Sequence, residues 1–509
     1  MLPDRIQLSR RGVLTGLLAS AASPLLANAP LRSPHPPARP VTAQIAALAP
    51  APEAVRPPAG SLATLLERAN LSGETGLIAL DAETGAVIEE HRADLRMPPA
   101  STAKAVTTLY ALQVLGGEHR FVTRVESRGG AIEGGTLRGD LVLRGGGDPG
   151  LQTADLARMA DELIERGLRR IEGRFVVDDR VLPAVAQIDP AQPVAAGYNP
   201  AVGGLNLNFN RVHFGWDRVD GRIRVALDAR SEREVPGVSV IGIEAVARDL
   251  PVYTHAVGAE REDWTVAASA LAQPGSRWLP VRRPGAYAAD VFRVLLAARG
   301  CQIPAPRFAA VEPGAVLAEY RSLPLNAVLR DMLRYSTNIT AEGVGLAASH
   351  RLGPRVSGLE PSAARMNGWV ADRYGARGLA LQDHSGLSEG SRIAARDMAQ
   401  YLLAARREGQ LPGLLRQHPM RDANGRELAS HPVEVRAKTG TLDFVSALAG
   451  YAQVRGGRPI VFTIFSADMR QRRATRGDES ERPNGARVWT GRARSLQQDL
   501  IERWSALHG

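Results

Sequence analysis

Nine prolines fall between residues 30 and 60, and they limit where a folded domain can begin. Proline fixes φ and has no backbone N–H, so a stretch this rich in it is unsuited to a packed helix or a sheet ladder. We therefore expect residues 30–60 to be an extended, solvated Pro/Ala-rich linker. The globular part should begin near Ser61, and the remainder of the 509 residues is longer than one hydrophobic core usually fills.

The segment before the linker has the features of an export signal. Arg10 and Arg11 precede a short apolar run over residues 13–26, and a small-x-small site ends at Ala29. This order is typical of a twin-arginine signal, and the apolar run is too short for a good spanning helix. We therefore expect a cleaved signal peptide over residues 1–29, a periplasmic protein and no transmembrane anchor after cleavage.

Composition excludes several other classes of protein. Cys301 is the only cysteine, so the chain has no intramolecular disulfide and no thiolate cluster for structural zinc or iron–sulfur. A formal charge of +10 suits an acidic partner, but outside Arg470–Arg476 the basic residues are scattered. Because no dense basic run is interleaved with aromatic residues, nucleic acid is not the expected partner.

Hydrophobic periodicity divides the globular part into three stretches. Residues 61–120 read as a helix, a hairpin and a second helix. Residues 121–280 consist of short strand-like runs with glycine turns, among them Leu205–Phe214, and we expect an inserted region of two small subdomains. Residues 281–509 return to helices and then give three strand candidates and a final helix.

The first candidate site motif is Ser101-Thr102-Ala103-Lys104, which follows a proline pair and opens a predicted helix. Residues three apart share a helical face, so the Lys104 amine can reach the Ser101 hydroxyl. A lysine desolvated beside other cations can lose enough pKa to take the proton of that hydroxyl. The motif predicts a nucleophile and its base, with an N-capping serine and a solvated lysine as the alternative.

The second motif is Ser336-Thr337-Asn338, at the junction between predicted helices Leu325–Tyr335 and Asn338–Ala348. The hydroxyl can relay a proton between the lysine amine and a leaving nitrogen, and the amide can donate to a substrate carbonyl. A simple helix cap is the alternative.

The third motif is Lys438-Thr439-Gly440-Thr441, which closes a predicted strand just before a strongly apolar one. A lysine and hydroxyls on an edge strand can hold a substrate carboxylate, and glycine lets another backbone lie close. A peptide could then add to the sheet as an extra strand. The alternative is a lysine that ends a strand at a turn.

In this order the three motifs form the signature of penicillin-binding proteins and class A β-lactamases. The long separation of residues 101 and 336, and stretches such as Asp383–Ser388, resemble the D-alanyl-D-alanine carboxypeptidase/endopeptidases. These are low-molecular-mass class C penicillin-binding proteins with a large insertion between the first two motifs. The resemblance covers about residues 61–470. His384 departs from it, because a glycine is common there, and we expect this side chain to be polar and exposed.

The resemblance implies a fold and an activity. The fold would be an α/β (α+β), β-lactamase-like transpeptidase domain, an antiparallel sheet flanked by helices, built from residues 61–120 and 281–509 around the insertion. The enzyme would hydrolyse peptidoglycan stem peptides without metal or organic cofactor, and β-lactams would acylate it.

The resemblance also implies a role for each motif residue. Ser101 would attack the penultimate D-alanine carbonyl with Lys104 as base, and the backbone amides of Ser101 and Thr441 would form the oxyanion hole. The remaining catalytic residue would be Ser336, and the residues that bind substrate would be Asn338, Lys438, Thr439, Gly440 and Thr441.

Two other functions stay open from the sequence. One is a β-lactamase or esterase on the same scaffold, although no E-x-x-L-N stretch follows Ser336 to supply the class A glutamate. The other is a non-catalytic peptidoglycan-binding protein, against which the intact serine and lysines argue. The balance between carboxypeptidase and endopeptidase activity and the oligomeric state have no signature in the sequence.

Overall fold

The computed structural model describes residues 60–422, 425–428, 430–475 and 483–508. The predicted signal peptide, and the predicted linker apart from Gly60, lie outside the described residues. Within the described ranges, no helix is long and apolar enough to cross a bilayer.

Eleven α-helices occur in the described ranges. They are α1 (Leu62–Ala69), α2 (Ala103–Leu115), α3 (Thr153–Glu165), α4 (Pro284–Ala298), α5 (Leu325–Tyr335), α6 (Asn338–Leu352), α7 (Leu359–Tyr374), α8 (Ala395–Glu408), α9 (Gln410–Leu414), α10 (Met469–Ala474) and α11 (Ala486–His508). Short 3₁₀ turns cover Ala100–Thr102, Asn208–Asn210 and Ala268–Leu271.

The strands fall into a main sheet and several smaller ones. In chain order they are β1 (Glu74–Asp81), β2 (Val87–His91), β3 (Arg96–Met97), β4 (Val122–Arg128), β5 (Ile132–Glu133), β6 (Thr136–Leu137), β7 (Asp140–Arg144), β8 (Arg170–Ile171), β9 (Phe175–Asp178), β10 (Arg211–Val219), β11 (Arg222–Asp228), β12 (Ile241–Val246), β13 (Tyr253–Val257), β14 (Glu262–Ala267), β15 (Gly275–Pro280), β16 (Pro306–Phe308), β17 (Ala315–Arg321), β18 (Ile393–Ala394), β19 (Val433–Leu442), β20 (Val445–Val454) and β21 (Ile460–Ala467).

The main sheet is antiparallel throughout, with the order β19-β20-β21-β1-β2. Strands β20 and β21 are almost wholly buried, because helices cover both faces of the sheet. One face packs on α2, α5, α6, α7 and α8, and the other packs on α1 and α11. The predicted antiparallel sheet flanked by helices is therefore confirmed. Strand β19 lies at one edge of this sheet.

A second core lies around another five-stranded sheet, ordered β16-β9-β7-β4-β17. Helices α3 and α4 pack on it, together with the sheets β11-β10-β15 and β12-β14-β13. Although α4 and β17 follow residue 280 in the chain, they belong to this second core, because β17 pairs with β4. The predicted boundaries between catalytic domain and insertion stay predictions.

One predicted strand is wrong. Only the last four residues of Leu205–Phe214 join a strand. Residues 205–210 form a mostly buried loop that ends in the 3₁₀ turn Asn208–Asn210. The alternation of leucine or phenylalanine with asparagine mimics a strand, but asparagine tolerates left-handed backbone and bonds nearby amides. Asn208 has φ 51°, and Asn210 Oδ1 accepts a hydrogen bond of 2.9 Å from the Leu207 amide.

Candidate active site

The three sequence motifs meet at the edge of the main sheet. Ser101 lies in the 3₁₀ turn before α2, and Lys104 lies in the first turn of that helix. Ser336 and Asn338 lie where α5 ends and α6 begins, and Lys438 is on edge strand β19. The predicted positions of the motifs on helix, junction and strand are confirmed.

The amine of Lys104 has three neighbours at hydrogen-bond distance, although the side chain is fully buried. Its Nζ donates to Asn338 Oδ1 at 2.7 Å and to the Ser385 carbonyl at 2.9 Å, and it lies 2.9 Å from Ser101 Oγ. The first two partners are acceptors only, whereas a hydroxyl can also donate. In the neutral form the amine has two hydrogens. With these on Asn338 and Ser385, the lone pair of that form is directed at the Ser101 hydroxyl.

The orientation of the Asn338 amide follows from its other contact. Its Nδ2 donates to the Tyr198 carbonyl at 2.9 Å, and a backbone carbonyl accepts hydrogen bonds only. Oδ1 must therefore be the atom that faces Lys104. Tyr198 belongs to a loop that precedes β10, so a segment beyond the main sheet helps to fix the amide.

A second lysine contact lies on the strand side of the cleft. Lys438 Nζ donates to Ser336 Oγ at 3.0 Å and to the Thr439 carbonyl at 2.8 Å. Ser336 is held in the left-handed region with φ 59°, because the chain turns sharply there from α5 into α6. These hydrogen bonds connect Ser336 to Lys438, and they connect Asn338 to Lys104.

Burial changes the acid–base properties of both amines. Desolvation lowers the pKa of Lys104 to about 8, against the opposing effect of the Asp383 and Glu342 carboxylates. The pKa of Lys438 is also well below its usual value, first through desolvation and then through the charges of Lys104 and Arg416. Lys104 is therefore not the solvated side chain of the alternative interpretation, and Lys438 does not end its strand, because β19 continues to Leu442.

Gly440 brings β19 against the turn that carries Ser101. A Cβ at Gly440 would come within 2.8 Å of the Pro99 carbonyl oxygen and 2.9 Å of the Ser101 nitrogen. A side chain would therefore force the strand away from the Ser101 amide. On the same strand Lys438 is buried, and the flanking residues Thr439 and Thr441 are exposed at the sheet edge.

Some residues that contact the site lie outside the three sequence motifs. The Ser385 and Tyr198 carbonyls contact the site through the backbone, which leaves no signature in the sequence. Glu342 is fully buried one helical turn after Asn338. The sequence does contain a signal for it, because Glu342 lies four residues after Asn338 and therefore on the same face of the predicted helix. A charged residue on a face that points into a site is rarely buried without a partner.

The prediction that His384 is exposed is wrong, because its side chain is fully buried. Its Nε2 lies 2.7 Å from Ser362 Oγ. The ring occupies space beside Gly345, where a Cβ would come within 2.2 Å of the ring. Burial lowers the pKa of His384 to about 3, so the ring is neutral at ordinary pH.

Among the described residues, no group of three or more histidine, cysteine, aspartate or glutamate side chains is placed to hold a metal ion.

The chain is similar to proteins of a known peptidase family. A model of the D-Ala-D-Ala carboxypeptidase 3 (S13) peptidase family matches residues 59–482. The D-alanyl-D-alanine carboxypeptidase of Actinomadura sp. (strain R39) is 28% identical over 439 residues, which cover 79% of this chain and 79% of that protein.

Solved structures show the same fold. Penicillin-binding protein 4 (dacB) of Haemophilus influenzae superposes with a TM-score of 0.69 at 22% identity, over 86% of this chain and 99% of that one. The same protein complexed with a β-lactam gives a TM-score of 0.67, with the same identity and coverage. The chain therefore has the penicillin-binding fold, and it belongs to the S13 family of D-Ala-D-Ala carboxypeptidases, which are serine hydrolases that act on peptidoglycan.

Proposed function

We propose that this serine peptidase works through an acyl-enzyme on Ser101, and that it acts in the periplasm as a carboxypeptidase and a D,D-endopeptidase. One observation carries the proposal: the buried Lys104 amine lies 2.9 Å from Ser101 Oγ, between two groups that can only accept hydrogen bonds. The twin-arginine features at the N-terminus support export to the periplasm.

In the acylation step, Ser101 Oγ attacks the carbonyl carbon of the penultimate D-alanine. The hydroxyl proton passes to the lone pair of Lys104 Nζ as the C–O bond forms. Because the two hydrogens of the amine are held by Asn338 and the Ser385 carbonyl, the lone pair needs no reorientation before the transfer.

The oxyanion of the tetrahedral intermediate would accept from the backbone amides of Ser101 and Thr441. The close approach at Gly440 supports this assignment, because it places β19 beside the Ser101 nitrogen. Two donors fixed by backbone, at a turn and on a strand, stabilise developing charge without reorganisation.

Collapse of this intermediate releases the terminal D-alanine, whose nitrogen takes up the proton that Lys104 accepted. The Ser336 hydroxyl and the Lys438 amine, 3.0 Å apart, would relay that proton and bind the terminal carboxylate. A substrate carboxylate beside Lys438 would in turn favour the charged form of that amine, because a nearby opposite charge raises the pKa of a lysine.

Deacylation repeats the chemistry with water as the nucleophile. Lys104 accepts a proton from the water as the water oxygen bonds to the ester carbon. It then returns that proton to Ser101 Oγ as the ester C–O bond breaks, and the shortened peptide leaves with a new carboxyl group. A β-lactam carbonyl would acylate Ser101 in the same way, and slow hydrolysis of that ester would make the drug an inhibitor. An endopeptidase cut differs only in the group attached to the leaving nitrogen, and the exposed edge of β19 leaves room for a longer peptide.

Replacement of the nucleophile tests the proposal. We expect Ser101→Ala to abolish D-alanine release from a D-Ala-D-Ala peptide and to abolish covalent labelling by benzylpenicillin, whereas exposed Ser269→Ala keeps both. Intact-protein mass spectrometry and peptide mapping measure the label. A long-lived adduct on Ser101 is the expected result, rapid turnover indicates a β-lactamase, and no adduct on the wild-type protein indicates a binding protein.

The reaction should depend on pH through Lys104. Only the neutral amine can accept the hydroxyl proton, so activity is low below the lysine pKa and increases as pH rises through it. We expect kcat/KM for D-alanine release, measured between about pH 6 and pH 10, to rise with an apparent pKa near 8. A profile that is flat across this range, with folding verified by circular dichroism, contradicts the role of Lys104 as base.

The close approach at Gly440 gives a third test. In Gly440→Ala the new methyl group meets the Pro99 carbonyl and the Ser101 amide, so the strand must shift. We expect the rate of benzylpenicillin acylation to fall about tenfold to a hundredfold. Gly368→Ala, on an exposed face of α7 with nothing within 4 Å, should keep the wild-type rate. Equal rates for the two variants would show that the approach of β19 does not matter for acylation.

A further inference from the structure

Two carboxylates beside Lys104 have no part in the chemistry described so far. Glu342 is on α6, Asp383 is in the loop after α7, and both are fully or almost fully buried. A buried carboxylate is costly unless it is paired or hydrogen-bonded, so its contacts indicate what it does.

Glu342 holds two consecutive backbone amides. Its Oε2 accepts from the His384 amide and its Oε1 from the Ser385 amide, both at 2.9 Å. The carbonyl of Ser385 is the group that accepts from Lys104 Nζ at 2.9 Å. Glu342 therefore holds the backbone at the residue whose carbonyl accepts a hydrogen bond from Lys104.

Asp383 stabilises the same loop through contacts within it. Its carboxylate accepts from the Gly386 amide at 3.0 Å and from the Ser388 amide at 2.8 Å. In addition, Thr107 Oγ1 on α2 donates to the His384 carbonyl at 2.6 Å. The loop is thus attached to both α2 and α6, and the Ser385 carbonyl is its point of contact with the amine.

We propose that Glu342 is a positioning residue: its carboxylate fixes the Ser385 carbonyl on the Lys104 amine, and so directs the lone pair of the amine at Ser101. The proposal rests on the function proposed above for Lys104. Without the Ser385 acceptor, one hydrogen of the neutral amine has no partner, and the amine can rotate its lone pair away from the hydroxyl.

Charge adds a second consequence. The charged groups that face Lys104 are Glu342 on α6, Asp383 in the loop and Lys438 on β19. Burial and then Asp383 raise the pKa of Glu342, whereas the amides of residues 384 and 385 and the Lys104 charge favour its ionised form. Because both oxygens accept backbone N–H groups, the contacts are those of a carboxylate. Its negative charge raises the pKa of Lys104.

The test replaces Glu342 by glutamine and measures benzylpenicillin acylation as a function of pH. Glutamine presents an NH₂ group to a backbone N–H, so the loop loses one of its two bonds. We expect the rate at the high-pH plateau to fall about tenfold or more. We also expect the midpoint of the profile to move down by about one pH unit, because a negative charge near Lys104 is lost.

Two further variants separate positioning from mere stability. Glu342→Asp keeps the charge but shortens the side chain, so the plateau should fall while the midpoint stays near that of the wild type. Glu126→Gln removes another buried carboxylate, which pairs with Arg144 and accepts from the Gly314 amide in the second core. This control should keep both the plateau and the midpoint of the wild type.

A Glu342→Gln protein that acylates with the wild-type plateau and midpoint overturns the inference, whatever its melting temperature. If that variant does not fold, Glu342→Asp decides, and a full plateau rate in it also overturns the inference. The proposed function fails separately: in that case benzylpenicillin leaves no adduct on Ser101 of the wild-type protein.

Discussion

The arrangement of the site depends on the burial of one amine, that of Lys104. Lys104 is fully enclosed, and water cannot compensate for the loss of hydration there, so the protein must supply each partner of the amine. It does so with an amide oxygen from α6, a carbonyl from the loop after α7 and a hydroxyl from the turn before α2. The same burial lowers the pKa of the amine toward the value a general base needs. Burial of Lys104 is therefore the cause both of its need for three hydrogen-bond partners and of its lowered pKa.

Most of the surrounding architecture serves to hold these partners in place. The main sheet brings β19 to the cleft, and Gly440 lets the strand touch the turn of Ser101. Gly386, with φ 76°, allows the loop after α7 to press on that turn as well, because a Cβ would lie 1.9 Å from the Ala100 carbonyl oxygen. Close backbone contacts of this kind fix atoms more firmly than long side chains can, which is what preorganised stabilisation requires.

Much of this could be predicted from the sequence, because helices and buried strands repeat their apolar residues with a regular period. The bounds of α5 were predicted to the residue, and the three motifs were placed on the correct elements. The sequence predicts a strand over residues 205–210 because asparagine alternates with apolar residues there, and this is wrong. The predicted exposure of His384 is also wrong. The sequence-based prediction missed Glu342, although the position of this residue one helical turn after Asn338 is a usable signal. It also missed the carbonyls of Ser385 and Tyr198, since backbone contacts arise only when distant segments meet.

The most direct measurement of the central claim is a crystal structure of the wild-type protein after reaction with benzylpenicillin. The account predicts an ester on Ser101 Oγ whose carbonyl oxygen lies within hydrogen-bond distance of the Ser101 and Thr441 amides. It also predicts that Lys104 Nζ remains bound to Asn338 Oδ1 and the Ser385 carbonyl. An acyl group on any other residue, or a Lys104 amine turned away from Ser101 and these two acceptors, would contradict it.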